Sequence, residues 1–186
     1  MPVLQPFNLV GGTALALQIG HRISIDLDLF TYEEYDGAEI LQILQSWGEL
    51  DLLVNKPPFL QVRLDDVKID FLKFPYHFVQ NYTEIEGVRL VSIENIAVMK
   101  LLAIARRGVK KDFFDLYFIL ERYSIDQIVI IFETLLPHVD LFHILKSLTY
   151  FDDAEPDGDP KMLIKTSWTQ VKKIISEKVN TYLASR

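Results

Sequence analysis

Two aspartates stand two residues apart in ISIDLDLFT, a stretch at 23–31 in which apolar and polar residues alternate. Successive side chains of a strand point to opposite faces, so the alternation predicts a strand with Asp26 and Asp28 on one polar face. Two carboxylates this close repel each other unless a cation lies between them. Oxygen ligands at this spacing suit Mg²⁺, which takes one or two carboxylates together with substrate phosphates.

A third acid, Asp70, lies inside the apolar run VKIDFLKF at 67–74. An acid in such a run needs a reason, because burying an unpaired charge is costly. The run is itself strand-like and could lie beside the first strand, where a third carboxylate would complete a two-metal site. Asp65 and Asp66 compete for this role, and Asp70 could instead be a strand residue that faces solvent.

A glycine pair followed by threonine, Gly11-Gly12-Thr13, precedes the first strand and opens TALALQI, which has helical propensity. Such a turn offers a close backbone approach, free N–H donors and a hydroxyl, and these groups suit a phosphate chain. Together with the acids it predicts a triphosphate held opposite a carboxylate metal site. The reaction that fits this pairing is in-line displacement at phosphorus.

The elements that must position these residues mix strands and helices. GAEILQILQSWG at 37–48 has apolar residues at helical spacing between two glycines. Three strand-like runs follow, separated by turn residues: ELDLLVN at 49–55, FLQVRLDD at 59–66 and VKIDFLKF at 67–74.

From Ser92 onward the pattern is helical. SIENIAVMKLLAIARRG at 92–108 opens on a capping serine and ends at a glycine, and VKKDFFDLYFILERY at 109–123 predicts a second helix. SIDQ at 124–127 and SWTQ at 167–170 both fit a capping box and predict two more. We also expect a short helix near 138–148 and a loop in the acidic stretch at 152–160.

The predicted fold class is therefore α+β, with a small mixed sheet and flanking helices followed by a helical C-terminal half. We predict two domains. Residues 1–91 form the catalytic core, and residues 92–186 form a helical region packed on that core.

Composition narrows the functional class. The chain has 186 residues, of which 49% are hydrophobic, so a sizeable core is expected. It has no cysteine, which excludes disulfide scaffolds and thiolate metal sites. No apolar run is long enough to span a bilayer, and the N-terminus does not read as a signal peptide, so we expect no membrane partner and a cytoplasmic location.

The charge pattern is uneven. A formal net charge of -7 argues against a general polyanion binder. ARRGVKK nevertheless gathers Arg106, Arg107, Lys110 and Lys111, which we consider as an RNA-binding patch. The alternative is a solvated cluster at a helix end, where basic residues are favoured by the helix dipole.

Two separated blocks of the chain resemble one known family. GGTALALQIGHRISIDLDLF and MKLLAIARRGVKKDFFDLYFIL are similar to motifs of the AbiEii/AbiGii toxin nucleotidyltransferases, within the polymerase-β-like nucleotidyltransferase superfamily. The resemblance covers roughly residues 7–122, and the second glycine before the threonine stands where the wider superfamily often has serine after glycine.

The resemblance implies transfer of a nucleoside monophosphate from an NTP, in studied relatives to the acceptor end of tRNA, which blocks translation. It also implies a cognate antitoxin as partner, within a toxin–antitoxin or phage-defence system, and Mg²⁺ or Mn²⁺ as cofactor. The alternatives are the same chemistry on a small molecule or a protein hydroxyl, and a non-catalytic nucleotide-binding module.

The resemblance also implies roles for individual residues. The triphosphate would be bound by the glycine turn, Gly11, Gly12 and Thr13, and by Lys100. Metal would be bound by Asp26, Asp28 and Asp70, and Asp70 could instead act as base for the incoming hydroxyl. The catalytic set would comprise Asp70, Lys100, Asp112 and Asp115, although chemistry alone assigns no role to the last two.

Several of these residues have simpler interpretations. Lys100 falls on or beside an apolar helical stripe and could be a lysine whose stem covers that surface. Asp112 and Asp115 stand where a helix N-terminus favours acids in any case. His21 and Arg22 are expected to shape the turn before the strand, with Arg22 neutralising an aspartate or a phosphate. The aromatic run FFDLYF at 113–118 is expected to be core.

Overall fold

The computed structural model describes residues 2–74 and 82–186, which fall into two compact units. The first unit comprises Met1–Ala14 and Ser24–Ser92, and the second comprises Leu15–Ile23 and Ile93–Arg186. A short N-terminal segment thus belongs with the C-terminal helices. The assignment of catalysis to residues 1–91 stays a prediction.

The first unit contains a mixed sheet whose described part has seven strands in the order β3-β4-β5-β2-β1-β7-β6. Strands β2 and β5 are parallel, as are β1 and β7, and the other neighbours are antiparallel. The bounds are β1 (Asn8–Val10), β2 (Leu27–Thr31), β3 (Leu50–Lys56), β4 (Phe59–Leu64), β5 (Val67–Lys73), β6 (Tyr82–Ile85) and β7 (Val88–Val91). The α+β class with a mixed sheet is confirmed.

The three strand-like runs predicted between residues 49 and 74 are confirmed as β3, β4 and β5. The hairpin of β6 and β7 is not among the predicted elements. Its two-residue turn is Glu86-Gly87, and both residues have positive φ, 51° and 79°. A glycine-containing two-residue turn between alternating residues is a hairpin signal, so the sequence does carry this information.

Strand β2 is shorter than the alternating pattern at 23–31 predicts, because it begins at Leu27. Its neighbour β1 has three residues, and the last pair in their register is Val10 with Asp28. Upstream of that pair the backbone has other partners: the Ile23 N–H donates to the Lys161 carbonyl at 2.9 Å. Asp26 therefore precedes the strand instead of lying within it.

The sheet separates an apolar face from a polar one. Helix α2 (Gly37–Gln45) covers the apolar face, and the Asp36 side chain caps it by accepting from the Ala38 N–H. The buried cluster on this face consists of Phe7, Ile40, Leu44, Leu60, Val62, Ile69 and Phe71. Strand alternation places Asp28 and Asp70 on the opposite face.

Helix α1 (Gly11–Ile19) begins at the first glycine of the pair, earlier than the propensity of TALALQI alone predicts. Its first residues belong to the first unit and its remainder to the second. The other helices of the second unit are α3 (Ile93–Arg107), α4 (Lys110–Leu120), α5 (Ile125–Leu135), α6 (Leu141–Ser147) and α7 (Trp168–Ala184).

The predicted helix signals of the second unit are found in place. Ser124 and Gln127 form a complete capping box at α5, and the Ser167 side chain accepts from the Gln170 N–H at α7. Gly108 ends α3 with a φ of 56° and donates its N–H to the Ile104 carbonyl. The aromatic run in α4 is buried core, as expected. None of the helices in the described part of the chain combines the length and apolar character that crossing a membrane requires.

Candidate functional site

The predicted phosphate turn and a predicted metal ligand lie against each other in the first unit. Gly11 has a φ of 70°, a conformation that side chains rarely adopt. A Cβ placed on Gly11 would stand 2.2 Å from Asp28 Oδ2. Glycine is therefore required here twice, for the backbone conformation and for the space that the Asp28 carboxylate occupies.

The Thr13 hydroxyl contacts the chain on the approach to the two aspartates. It lies 2.9 Å from Ser24 Oγ and also within hydrogen-bonding distance of the Asp26 carbonyl oxygen. A hydroxyl has one hydrogen, so Thr13 can donate to the carbonyl while accepting from Ser24. This side chain, which is 7% exposed, thus ties the first turn of α1 to the segment that leads into β2.

Asp28 and Asp70 are direct neighbours across the parallel strands β2 and β5. Adjacent strands lie about 4.8 Å apart, so the two carboxylates project side by side from one face of the sheet. Asp26 lies two residues before Asp28 along the chain. Within residues 2–74 and 82–186, no three His, Cys, Asp or Glu side chains converge as a group that could hold a metal ion. The register thus brings Asp28 and Asp70 together, Asp26 does not join them in a three-carboxylate group, and a metal-binding role for the three stays a prediction.

Two further side chains hold the Asp70 carboxylate. Gln61 on β4 donates from Nε2 to Asp70 Oδ1 at 2.8 Å, and Lys68 Nζ lies 3.3 Å from Asp70 Oδ2. Neither residue is predicted from the sequence. A signal existed for Lys68, which stands two residues before Asp70 in an alternating strand and hence on the same face.

Asp65 and Asp66, the rival candidates for the third acid, form the turn between β4 and β5. Both have positive φ, 46° and 67°. Asp65 also accepts a hydrogen bond from the Glu49 N–H at 2.9 Å. Their residue types are explained by the turn, whereas the register places Asp70 beside Asp28.

The residues predicted from the second motif meet in the second unit. Lys100 on α3 is 4% exposed; its Nζ donates to Asp112 Oδ1 at 2.7 Å and lies 2.6 Å from Asp115 Oδ2. Asp112 also binds Arg107, whose Nε is 2.8 Å from Oδ2. Lys100 therefore does not snorkel to solvent but is enclosed by two carboxylates.

Asp115 has no exposed surface and accepts from residues that are distant in the sequence. Arg22 donates to it from Nε and Nη2, at 2.6 and 2.9 Å, and His21 Nε2 lies 2.7 Å from its Oδ1. Arg22 thus neutralises an aspartate, one of the two roles expected of it. Because the partner is a carboxylate, the proton of His21 belongs on Nε2, and its buried Nδ1 has no hydrogen-bond partner among the described residues.

Backbone contacts hold the same short segment. Leu163 N–H and Ile164 N–H both donate to the His21 carbonyl, and Arg22 forms an isolated antiparallel bridge with Met162. Residues 21–23 are therefore fixed within the second unit by main chain and side chains together. Asp26 follows only four residues after Arg22 in the sequence.

The charges in this cluster, Arg22, Lys100, Asp112 and Asp115, stabilise one another. Burial acts to raise the pKa of Asp115, but the Lys100 charge and hydrogen bonds from Arg22 and His21 outweigh it and hold that pKa far below its usual range. The same balance between burial and Lys100 lowers the pKa of Asp112. Burial acts to lower the pKa of Lys100, yet Asp115 and Asp112 raise it above the ordinary lysine value. All three groups are ionised at neutral pH.

The basic cluster predicted at 106–111 is partly occupied by internal contacts. Arg107 binds Asp112, and Lys110, which is 6% exposed, donates to the Asp157 carbonyl and lies over the Trp168 ring. Arg106 is exposed at the end of α3. Arg107 and Lys110 thus have structural partners, and an RNA-binding role for the cluster stays a prediction.

Comparison with known proteins places these motifs in a family. The model of the family described as nucleotidyl transferase AbiEii toxin, type IV TA system, matches residues 2–173. An uncharacterized protein of Aquifex aeolicus (strain VF5), aq_aa25, is 32% identical over 187 residues, which cover 97% of this chain and 90% of that protein.

Solved structures with a similar fold include a candidate nucleotidyltransferase from H. pylori, with a TM-score of 0.62 at 19% identity, covering 97% of this chain and 88% of that one. MenT4, the nucleotidyltransferase toxin Rv2826c of Mycobacterium tuberculosis H37Rv, has a TM-score of 0.55 at 13% identity. The match covers 93% of this chain and 74% of that one. At these identities the likeness concerns the fold. The family model spans most of the chain, both motifs included, and the chain therefore belongs to the AbiEii family of nucleotidyltransferase toxins.

Proposed function

We propose that this toxin is a Mg²⁺-dependent enzyme that transfers a nucleoside monophosphate from an NTP to an RNA acceptor, with the 3′ end of tRNA as the first acceptor to examine. The observation that carries the proposal is the arrangement of Gly11, Asp28 and Asp70. A glycine turn at a helix start lies against one carboxylate, and a second carboxylate stands directly beside it on the next strand.

The reaction balances with the groups at hand. The acceptor hydroxyl oxygen forms a bond to the α-phosphorus of the NTP, and the bond from that phosphorus to the bridging oxygen breaks, so pyrophosphate leaves. The hydroxyl proton passes to a base, for which Asp70 is our candidate. Gln61 and Lys68 hold both oxygens of Asp70, so this carboxylate is already oriented on the polar face of the sheet.

The donor set fits a hard divalent cation, since Asp26, Asp28 and Asp70 offer only oxygen and the site includes no sulfur. Mg²⁺ or Mn²⁺ bound there would neutralise charge on the phosphates and on the leaving group. Two neighbouring carboxylates suffice for Mg²⁺, because it usually keeps several waters and takes further oxygens from substrate phosphates. The glycine turn is proposed to bind the nucleotide itself.

We propose that Gly11 and Gly12 present backbone N–H groups to the triphosphate at the start of α1, where a helix favours anions. Thr13 supports this turn through its contact with the Asp26 carbonyl. We propose that its hydroxyl binds phosphate in addition to making that contact. The phosphate-binding and catalytic roles expected of Lys100, and the catalytic roles expected of Asp112 and Asp115, stay predictions. In the second unit these three side chains pair with one another, and Lys100 is 4% exposed.

We further propose a cytoplasmic toxin that is countered by a cognate antitoxin in a phage-defence setting. The family description, a toxin of a type IV toxin–antitoxin system, supports the antitoxin partner. Growth arrest on expression, relieved by the neighbouring gene, tests it independently of the chemistry.

The deciding experiment incubates the protein with each α-labelled NTP, Mg²⁺, and total RNA or a protein and metabolite extract. Label in tRNA supports the proposal. Label in protein or in a small molecule would assign the same chemistry to another acceptor, and bound nucleotide without transfer would indicate a non-catalytic module.

Two variants test the site in the same assay. Asp28→Asn is expected to abolish transfer while leaving nucleotide binding measurable. Glu39→Gln neutralises an exposed acid of α2 in the same unit, on the other side of the sheet, and is expected to retain full activity. Equal activity of the two variants would show that Asp28 is not part of the site.

A further inference from the structure

We propose that Arg63 and Lys68 form a binding site for the phosphate backbone of the RNA acceptor. The inference rests on the proposed function and deepens it, because it assigns the part of the acceptor that this surface recognises. The observation is a pair of cations standing directly opposite each other on neighbouring strands: Arg63 on β4 and Lys68 on β5 are partners in the antiparallel register.

Directly opposed residues on one face have Cβ atoms about 5 Å apart, and like charges in this position destabilise a sheet. An anion between the two side chains would relieve the repulsion between them. Lys68 has one carboxylate contact, with Asp70. Asp51 stands opposite Arg63 on β3, yet in the described part of the chain Arg63 takes part in no ion pair.

Both cations are accessible to a ligand. Arg63 is exposed, and the Lys68 side chain retains 40% of its surface. Guanidinium and ammonium groups are the usual ligands of phosphate oxygens in nucleic-acid complexes.

The position of the pair points to the acceptor. Lys68 and Asp70 lie two residues apart on β5, about 7 Å along the strand, and on the same face as Asp28. A phosphate held by Arg63 and Lys68 would thus belong to the chain that brings its hydroxyl to Asp70. A polymer with regular phosphates provides such a group, whereas a small-molecule or protein acceptor need not.

The test is RNA binding by fluorescence anisotropy, with end-labelled tRNA in EDTA and without NTP, so that neither metal nor turnover contributes. Three variants are compared with the wild type over a range of salt concentrations. R63A/K68A removes the pair, R63K/K68R keeps both charges, and R122A/K146A removes the same two charges from exposed positions of the second unit. Circular dichroism melting confirms that each variant is folded.

We expect R63A/K68A to bind tRNA at least 10-fold more weakly, whereas R63K/K68R and R122A/K146A stay within about 3-fold of the wild type. The slope of log K against log salt should fall by about 0.7 in R63A/K68A, since the pair holds one phosphate and each single-strand phosphate contact contributes about 0.7.

Three results would overturn the proposal. Wild-type binding that R63A/K68A and R122A/K146A retain equally would exclude this pair while leaving an RNA acceptor intact. Unchanged RNA binding by R63A/K68A together with a loss of NTP binding, measured in a separate titration with labelled NTP, would assign the pair to the nucleotide. If the wild type shows no salt-dependent binding of tRNA at all, both this site and the RNA acceptor of the proposed function fail.

Discussion

Asp115 and Arg22 form a two-point ion pair, with 2.6 Å from Nε to Oδ1 and 2.9 Å from Nη2 to Oδ2, although 93 residues separate them in the sequence. Asp115 is fully buried and Arg22 is 5% exposed. A buried ion pair contributes little net stability relative to an apolar contact of the same size. Removing one partner, however, leaves the other charge buried and uncompensated, which is strongly destabilising. Its effect is to hold residues 21–23 in one place.

The first prediction concerns the stability of this cluster. Asp115→Asn keeps the shape of the side chain and removes its charge, so Arg22 and Lys100 remain buried without full compensation. We expect the free energy of unfolding to fall by about 3–5 kcal/mol. Urea denaturation measures this change. The control is Glu133→Gln, which removes the charge of an exposed residue on α5 and is expected to stay within about 0.5 kcal/mol of the wild type. Comparable losses in the two variants would show that the cluster has no special role.

The second prediction is the pH dependence of that difference. The pKa of Asp115 is lower in the folded protein than in the unfolded chain, where it is about 3.9. Its contribution to stability is therefore fully present above that value and is lost progressively as the pH falls below it. We expect the gap in unfolding free energy between wild type and Asp115→Asn to be constant from pH 6 to 8 and to shrink below about pH 4. A gap that is unchanged at pH 3 would contradict the assignment.

The contribution of Lys100 to stability depends on pH in the opposite direction. Its folded pKa is raised by Asp115 and Asp112, so its contribution is present below the unfolded value of about 10.4 and is lost as the pH rises through the folded pKa. Lys100→Met, which keeps the length and removes the charge, should lose more stability at pH 8 than at strongly alkaline pH. The measurement is urea denaturation at both pH values, and an equal loss at each would speak against a charged Lys100.

The third prediction separates space from backbone conformation at the glycine turn. Gly11 and Gly20 have nearly the same φ, 70° and 66°, but a Cβ on Gly20 meets nothing within 4 Å. Ala at either position should cost about 1–2 kcal/mol of stability from the left-handed backbone. Only Gly11→Ala also displaces the Asp28 carboxylate, and a displacement of about 1 Å is expected to slow transfer on the order of 100-fold.

Mn²⁺ affinity gives a second measure of the same displacement, because it reports the carboxylates without requiring an acceptor. We expect Gly11→Ala to weaken it and Gly20→Ala to leave it unchanged. Parallel losses in both variants would mean that backbone strain alone, and not the contact with Asp28, accounts for the effect.

The fourth prediction tests what the Thr13 hydroxyl does. Thr13→Val keeps the shape and leaves the Asp26 carbonyl without its donor, which should destabilise the fold by about 1–3 kcal/mol. Thr13→Ser retains the hydroxyl and should remain close to the wild type. Urea denaturation measures the structural part, and the KM for NTP reports any contact with phosphate. A fully stable Thr13→Val enzyme with a raised KM would assign the hydroxyl to the nucleotide alone.

Patterns that report local structure predicted much of the fold. The alternation of apolar and polar residues predicted β3, β4 and β5. The capping-box pattern, a serine with a glutamine three residues later, predicted α5 and α7. Alternation also overextended β2 to Ile23, because a period of two records which way side chains point and not whether a neighbouring strand exists. The length of β1 decides where pairing can begin, and that information lies elsewhere in the chain.

The site was predictable where residue type and chemistry coincide. Asp28 and Asp70 were inferred as a pair, and the register makes them neighbours. The partners of Asp115 were beyond reach, because His21 and Arg22 meet it only through the fold. Gln61 was missed for a similar reason: an amide on a strand has no chemical signature until the carboxylate opposite it is known.

Residues 15–23 complete the C-terminal unit, and this has a consequence for how the protein is made. A ribosome releases Arg22 long before Asp115, so a nascent chain that ends before Asp115 lacks the carboxylate that Arg22 requires. Residues 21–23 then lack both this carboxylate and the main-chain partners at 161–164 that hold them in the folded protein. Growth of the polypeptide itself thus delays assembly of the toxin until its C-terminal half, including the 161–164 segment that pairs with His21 and Ile23, has emerged.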